Sequence, residues 1–178
     1  MACGKTTFGR ALARAMGREF IDLDFYIEQR FRLPIGAMFA EGGEDLFRRR
    51  EAAMLREVGE FEDVVVACGG GTPCFAHNID YMISRGTVVF LEASTDRMVR
   101  RLMENNSRRP LMAGKSEAEI RETVARGLEA RMPHYLKAHI RFSGENLEDS
   151  RQIDSSVAQF ISDFGSDLES GLESDLQR

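Results

Sequence analysis

Gly4-Lys5-Thr6-Thr7 stands directly before apolar residues spaced as one helical face: Phe8, Ala11, Leu12, Ala15 and Met16. Glycine, lysine and threonine at a helix start form the downstream half of a phosphate-binding P-loop, Gly-x-x-x-x-Gly-Lys-Ser/Thr. Glycine lets backbone N–H groups turn in on a phosphate, and the helix N-terminus adds about half a positive charge. In that reading Lys5 reaches the β- and γ-phosphates and the Thr6 hydroxyl takes a place on Mg²⁺. The alternative is an ordinary helix start with lysine in its first turn. The pattern's first glycine, and the strand that would feed the loop, fall upstream of Met1, so the sequence predicts a native chain that begins earlier.

Further groups have chemical potential. Asp22 and Asp24 close a short strand at Phe20-Ile21-Asp22, and alternate strand residues point the same way. The pair can serve a metal and a substrate hydroxyl; alternatively Asp24 is a helix N-cap and Asp22 is solvated. Arg48 and Glu51 are i, i+3 neighbours in a helix reading Phe47-Arg48-Arg49-Arg50-Glu51. They form either a solvated charged face or a pair in which Glu51 orients a guanidinium that grips a carboxylate. Gly69-Gly70-Gly71 follows an apolar strand, where three glycines permit close backbone approach to a ligand. Arg108-Arg109-Pro110 lies in a polar stretch that reads as a lid over transferred phosphate or as a basic loop. Arg131 precedes Pro133 near the end of its helix, where it can also complement the helix dipole. His77, His134 and His139 have no ligand spacing.

The elements that position these groups alternate between helix and strand. Val64-Val65-Val66-Ala67-Cys68 and Thr87-Val88-Val89-Phe90-Leu91 are continuous apolar runs, the pattern of strands buried on both faces. Ile140-Arg141-Phe142 is a weaker, final strand segment, and Phe20-Ile21-Asp22 the first. Short helices are predicted over residues 25–31 and 34–40, and Gly42-Gly43 separates the second from a longer helix carrying Arg48. Ser116-x-x-Glu119 is a capping box, and Ile153, Val157, Phe160, Ile161 and Phe164 form a last amphipathic helix. Strands spaced by helices imply an α/β sandwich with a mostly parallel sheet.

A chain of 178 residues fits one domain. Its formal charge of −5 argues against a general nucleic-acid coat, whose affinity rests on neutralising phosphates. No stretch approaches the ~20 apolar residues of a membrane span, and the N-terminus carries no secretory pattern. Cys3, Cys68 and Cys74 form no metal-binding or Cys-x-x-Cys spacing, consistent with a reducing cytoplasm. The acidic, low-complexity residues after Phe164 read as a tail without packed structure.

Taken in order, Gly-Lys-Thr-Thr, Phe20-Ile21-Asp22-Leu23-Asp24, Phe47-Arg48-Arg49-Arg50-Glu51, Gly69-Gly70-Gly71, Arg109-Pro110-Leu111 and Arg131-Met132-Pro133-His134-Tyr135 resemble shikimate kinase, from about Met1 to Phe164. The resemblance implies a P-loop kinase fold: a three-layer α/β sandwich with a five-stranded parallel sheet of order 2-3-1-4-5, its first strand upstream of the chain. It implies a domain over residues 1–164, a lid at about 105–117 and a tail over 165–178. It also implies ATP-dependent phosphorylation of the 3-hydroxyl of shikimate by a cytoplasmic monomer without nucleic-acid or membrane partners.

Under that resemblance Ala2, Cys3, Gly4, Lys5, Thr6 and Thr7 wrap the ATP phosphates, Thr6 holds Mg²⁺ directly and Asp22 holds it through water. Asp24 binds the shikimate hydroxyls and acts as base, while Arg48, Gly70 and Arg131 hold shikimate. Lys5 and the lid residue Arg109 meet the phosphates, and Arg101 lies beside the adenine. Ala2 departs from the family, which commonly has glycine there, and no late arginine stands near Glu148 to meet the adenine. The alternatives are a P-loop kinase for another small hydroxy acid such as gluconate, or a nucleotide-binding protein without catalysis.

Overall fold

A computed structural model of the chain describes residues 2–104 and 115–175. Helix α1 (Lys5–Met16) buries Phe8, Leu12 and Ala13 along its apolar face. It ends at Gly17, whose φ of 67° is left-handed, and the Arg18 N–H closes onto the Ala13 carbonyl at 2.9 Å. Strand β1 (Glu19–Asp22) then turns directly into α2 (Leu23–Phe31), followed by α3 (Ile35–Val58) and β2 (Val64–Ala67). Helix α3 is broken where the glycines predict: Gly42 and Gly43 have φ of −148° and 66°, outside the helical range. The long arm beyond that break carries Arg48 and Glu51 toward the C-terminal ends of β1 and β2.

After β2 come the glycine loop 69–71, a 3₁₀ turn (Thr72–Cys74), α4 (Asn78–Arg85), β3 (Val89–Glu92) and α5 (Thr95–Glu104). Helix α6 (Glu117–Tyr135) opens on the predicted capping box, with Ser116 Oγ accepting from the Glu119 N–H and the Glu119 carboxylate accepting from the Ser116 N–H. It continues through Pro133 to Tyr135, so Arg131 lies about one turn from its end, as predicted. Strand β4 (Ile140–Ser143) and α7 (Ser150–Asp175) complete the described chain.

β1 pairs with β2 in parallel, with Asp22 opposite Ala67, and β3 pairs with β4, with Glu92 opposite Ser143. The described residues form two two-stranded parallel sheets, four of the five strands expected. Among the described residues each strand has a single strand neighbour, so β2 and β3 each keep one edge without a strand partner. For the same reason Val64, Val65 and Val66 are only half-buried, although their apolar run predicts burial on both faces.

Three apolar clusters hold the layers together. Phe8 and Leu12 of α1 meet Phe142 of β4 and Phe160 of α7; Leu23, Ile27, Phe47 and Leu55 unite α2 with α3; Met98, Leu102, Ile120 and Val124 join α5 to α6. Phe164 and Leu168 also pack on the first cluster, and α7 runs on to Asp175, so the acidic segment after Phe164, expected to lack packed structure, is helical over its described part. Among the described residues no helix is long and apolar enough to cross a membrane.

Candidate active site

The loop ahead of α1 has the backbone a phosphate cradle needs. Ala2 and Gly4 take positive φ, 54° and 99°, and the helix begins at Lys5 with no side chain capping its first N–H groups. The loop is tightly braced from behind. A Cβ on Gly4 would stand 2.5 Å from Leu147 Cδ1, and one on Gly144 would run into the Cys3 carbonyl. Arg101 Nη1 donates to the Ala2 carbonyl at 3.3 Å and Nη2 to Glu148 Oε1 at 2.8 Å. The guanidinium expected beside adenine thus sits between the loop and Glu148, which also binds Arg97 at 3.2 Å.

Lys5 Nζ lies 3.6 Å from Cys3 Sγ. Burial is the largest single influence and acts to raise that thiol, but the charge and hydrogen bonds of Lys5, with the N-terminal charge, together bring Cys3 below the ordinary range. Thr6 Oγ1 donates to Asp22 Oδ2 at 2.8 Å, so the two groups expected at a metal are side by side.

Asp22, and not Asp24, is the N-cap of α2, accepting from the Phe25 N–H at 3.4 Å. This corrects the strand-alternation argument. The strand ends at Asp22, and Asp24 reaches the same site through the first turn of the helix. Asp24 opens to solvent at the rim, yet protein crowding and the charges of Asp22 and Glu51 raise its carboxyl above the usual range against the pull of Lys5.

The glycine loop is where the remaining groups meet. A Cβ on Gly69 would lie 3.1 Å from both Asp24 Oδ1 and Thr72 Oγ1, and one on Gly71 would lie 2.6 Å from Arg48 Nη2. Close approach of these side chains, rather than a special turn angle, is what glycine permits here. The Tyr135 hydroxyl donates to the Gly70 carbonyl at 2.6 Å. Arg131, one turn earlier on α6, lies against Tyr135 and shares with Arg48 the field at the Cys74 thiol. Cys68, which ends the β2 run, is pushed up to about 12, chiefly by burial; it feels Lys5, Glu51, Asp24 and Asp22 together.

Arg48 is held on both edges. Nη1 donates to Glu51 Oε2 at 2.8 Å, while Nε and Nη2 donate to Glu44 Oε1 at 3.1 and 2.9 Å. The guanidinium also stacks 4.1 Å above the Phe75 ring. Burial pulls its pKa down, but the hydrogen bonds it donates to Glu51 and Glu44, with their charges, prevail and raise it.

Lys5, Thr6, Asp22, Asp24, Arg48, Gly70 and Arg131 therefore surround one region, whereas Arg109 and the residues around it lie outside the described residues. Sequence reasoning gave no role to Glu44, Thr72, Asn78 or Tyr135. Only Glu44 had a local signal, its i, i+4 spacing to Arg48.

A phosphate cradle at the start of the first helix, with an acidic pair and an arginine-flanked glycine loop at the strand ends, defines an α/β P-loop kinase. A family model described as shikimate kinase matches residues 1–162. A shikimate kinase of Phocaeicola vulgatus is 49% identical over 157 residues, covering 88% of this chain and 90% of that protein. The crystal structure of shikimate kinase from Bacteroides thetaiotaomicron superposes with a TM-score of 0.89 at 44% identity, covering 91% of this chain and 92% of that one. Shikimate kinase from Acinetobacter baumannii, solved in complex with shikimate, gives 0.80 at 30% identity, covering 94% and 89%. The chain belongs to the shikimate kinase family.

Proposed function

We propose that this protein transfers the γ-phosphoryl group of ATP to the 3-hydroxyl of shikimate, forming shikimate 3-phosphate and ADP in aromatic amino-acid biosynthesis. The observation that carries this reading is the glycine loop. Gly69 lies against a carboxylate, Asp24, and Gly71 against a guanidinium, Arg48, within reach of a P-loop. A small acid with a ring hydroxyl needs those two groups at opposite ends of one short surface.

In the reaction the substrate oxygen bonds to the γ-phosphorus, the bond from that phosphorus to the bridging β–γ oxygen breaks, and the hydroxyl proton passes to Asp24. A carboxylate whose pKa is raised, as that of Asp24 is, accepts a proton more readily than an ordinary aspartate. Arg48 and Arg131 grip the substrate carboxylate, with the Gly70 backbone beside them. Ala2, Cys3, Gly4, Lys5, Thr6 and Thr7 wrap the phosphates, and Lys5 and the lid residue Arg109 neutralise the charge that moves between them.

The oxygens of Thr6 and Asp22 fit Mg²⁺, a hard cation that takes few protein ligands and keeps phosphate and water around it. When bound, the ion screens the β- and γ-phosphate charge; Thr6 would hold it directly and Asp22 through water.

The same reading arranges the strands in one five-stranded parallel sheet of the family's order 2-3-1-4-5. It divides the chain into a domain over 1–164 with a lid at 105–117 and a tail over 165–178. It also makes the protein a cytoplasmic monomer without nucleic-acid or membrane partners.

A coupled assay of ADP release, run with shikimate and with a panel of other hydroxy acids including gluconate, tests the proposal. Turnover is expected with shikimate alone. Equal turnover with gluconate, or ATP binding without shikimate-dependent ADP release, would overturn it.

A further inference from the structure

Among the described residues three polar or charged side chains are buried almost completely: Glu51 at 1% exposure, Thr72 at 0% and Asn78 at 0%. All three belong to one hydrogen-bonded chain. Arg48 Nη1 donates to Glu51 Oε2 at 2.8 Å, and the Thr72 hydroxyl donates to Glu51 Oε1 at 2.7 Å. Asn78 Nδ2 donates to the Thr72 carbonyl at 2.9 Å, and Arg56 Nη1 donates to Asn78 Oδ1 at 3.0 Å. Arg56 Nη2 also donates to the Ala76 carbonyl at 3.2 Å.

The cost of burying a carboxylate is met only if both of its oxygens are satisfied. Here one oxygen takes the guanidinium and the other takes a hydroxyl from the turn that follows the glycine loop. The segment from Thr72 to Asn78 is in turn pinned to α3 at two places, by Glu51 and by Arg56. A guanidinium held at Nη1 has one free choice left, the direction of its Nε–Nη2 edge. In this structure that edge already receives a carboxylate oxygen, that of Glu44. The edge is thus set in a geometry that accepts one.

We infer that Thr72 and Asn78 are positioning residues for Arg48: through Glu51 they fix the guanidinium so that its Nε–Nη2 edge faces the carboxylate of the substrate. This deepens the proposed function and rests on it. Neither residue touches the reacting atoms. Their effect is on the affinity for the acid and leaves the nucleotide loop, on the other side of Asp24, unchanged.

The test is steady-state kinetics with shikimate and ATP varied separately, on Thr72→Val, Thr72→Ser and Arg48→Ala and on the Arg48→Ala, Thr72→Val double variant. Loss of a hydrogen bond to a buried charge should raise the shikimate KM of Thr72→Val by about tenfold or more, with the ATP KM within about twofold of the parent. Thr72→Ser, which keeps the hydroxyl, should restore the parent value within about threefold, an outcome a purely volumetric role would not give. In the Arg48→Ala background Thr72→Val should add less than about a twofold change, because the group it positions is gone.

An unchanged shikimate KM in Thr72→Val, an equal rise in both KM values, or full additivity with Arg48→Ala would each overturn the inference. Should Thr72→Val not fold, Thr72→Ala carries the same expectations. Absence of shikimate turnover in the parent protein sinks the function and the inference together, whereas normal parent turnover with an unaltered Thr72→Val sinks the inference alone.

Discussion

The Tyr135 hydroxyl donates to the Gly70 carbonyl at 2.6 Å, tying the last turn of α6 to the middle of the glycine loop. The Tyr135 ring is stacked on Phe90 of β3, with centroids 4.9 Å apart, so the hydroxyl is aimed by a packed aromatic pair. Tyr135→Phe keeps that stack and removes only the donor. A net hydrogen bond of about 1 kcal/mol predicts a rise of about three- to tenfold in the shikimate KM and a fall of about 2–4 °C in Tm. Kinetics with each substrate varied separately provide the check; a change confined to the ATP KM would contradict the loop-positioning account.

Asp24→Asn should lower kcat by about 10²–10⁴ while sparing ATP binding, the range typical of a lost general base. Its stability effect has the opposite sign. The folded-state pKa of Asp24 is raised, first by the protein crowding around its rim position and then by Asp22 and Glu51, so the native state binds the proton more tightly than the unfolded chain. Stability from this group is therefore present below the unfolded pKa and is lost as pH rises through the folded one. The amide variant should melt higher than the parent at neutral pH, and the gap should close as pH falls below the ordinary aspartate range. Thermal melts across pH decide it, and a parent that melts higher at pH 7 would refute the assignment.

Arg48→Ala and Glu44→Gln should move shikimate affinity in opposite directions. Removing Arg48 should cost about 2–5 kcal/mol of shikimate binding, since it deletes a desolvated charge partner. It also leaves Glu51 buried without its cation. Glu44 is exposed and occupies the edge of Arg48 that a substrate carboxylate would use. Replacing it with glutamine should lower the shikimate KM by about two- to fivefold, in keeping with the small worth of a solvated ion pair. Isothermal titration of both variants with shikimate tests this; weaker binding in Glu44→Gln would mean that Glu44 supports Arg48 rather than competing for it.

Ala2→Gly should stabilise the protein. Ala2 holds a φ of 54°, in the left-handed region that costs a residue with a Cβ about 1 kcal/mol or more. Its carbonyl is fixed by Arg101, so the conformation is imposed by the fold. A gain of about 2–4 °C in Tm is expected, offset in part by the entropy glycine brings to the unfolded chain. An unchanged or lower Tm would show that Ala2 bears no such strain.

Local pattern alone located the phosphate loop, both helices around Gly42 and Gly43, the capping box at Ser116 and the four strand segments. Each depends on neighbours within a few positions: an i, i+3, i+4 stripe, a glycine break, a hydroxyl three residues before a carboxylate. It also singled out Asp24, Arg48, the glycine triplet and Arg131, but left each with a plain alternative. Packing decided where Asp24 and Arg48 stand. Asp22 caps α2 because β1 ends there, and Asp24 then swings to the glycine loop. Arg48 is no solvated charge, because Phe75 and Glu51 close around it. Thr72, Asn78 and Tyr135 carry no local signature, since Glu51, Arg56 and Gly70, which they meet through their side chains, stand 21, 22 and 65 residues away along the chain. Short-range spacing follows from backbone geometry and can be read from neighbouring letters; contacts across such distances exist only once the core clusters have fixed how α3, α4 and α6 lie against the strands.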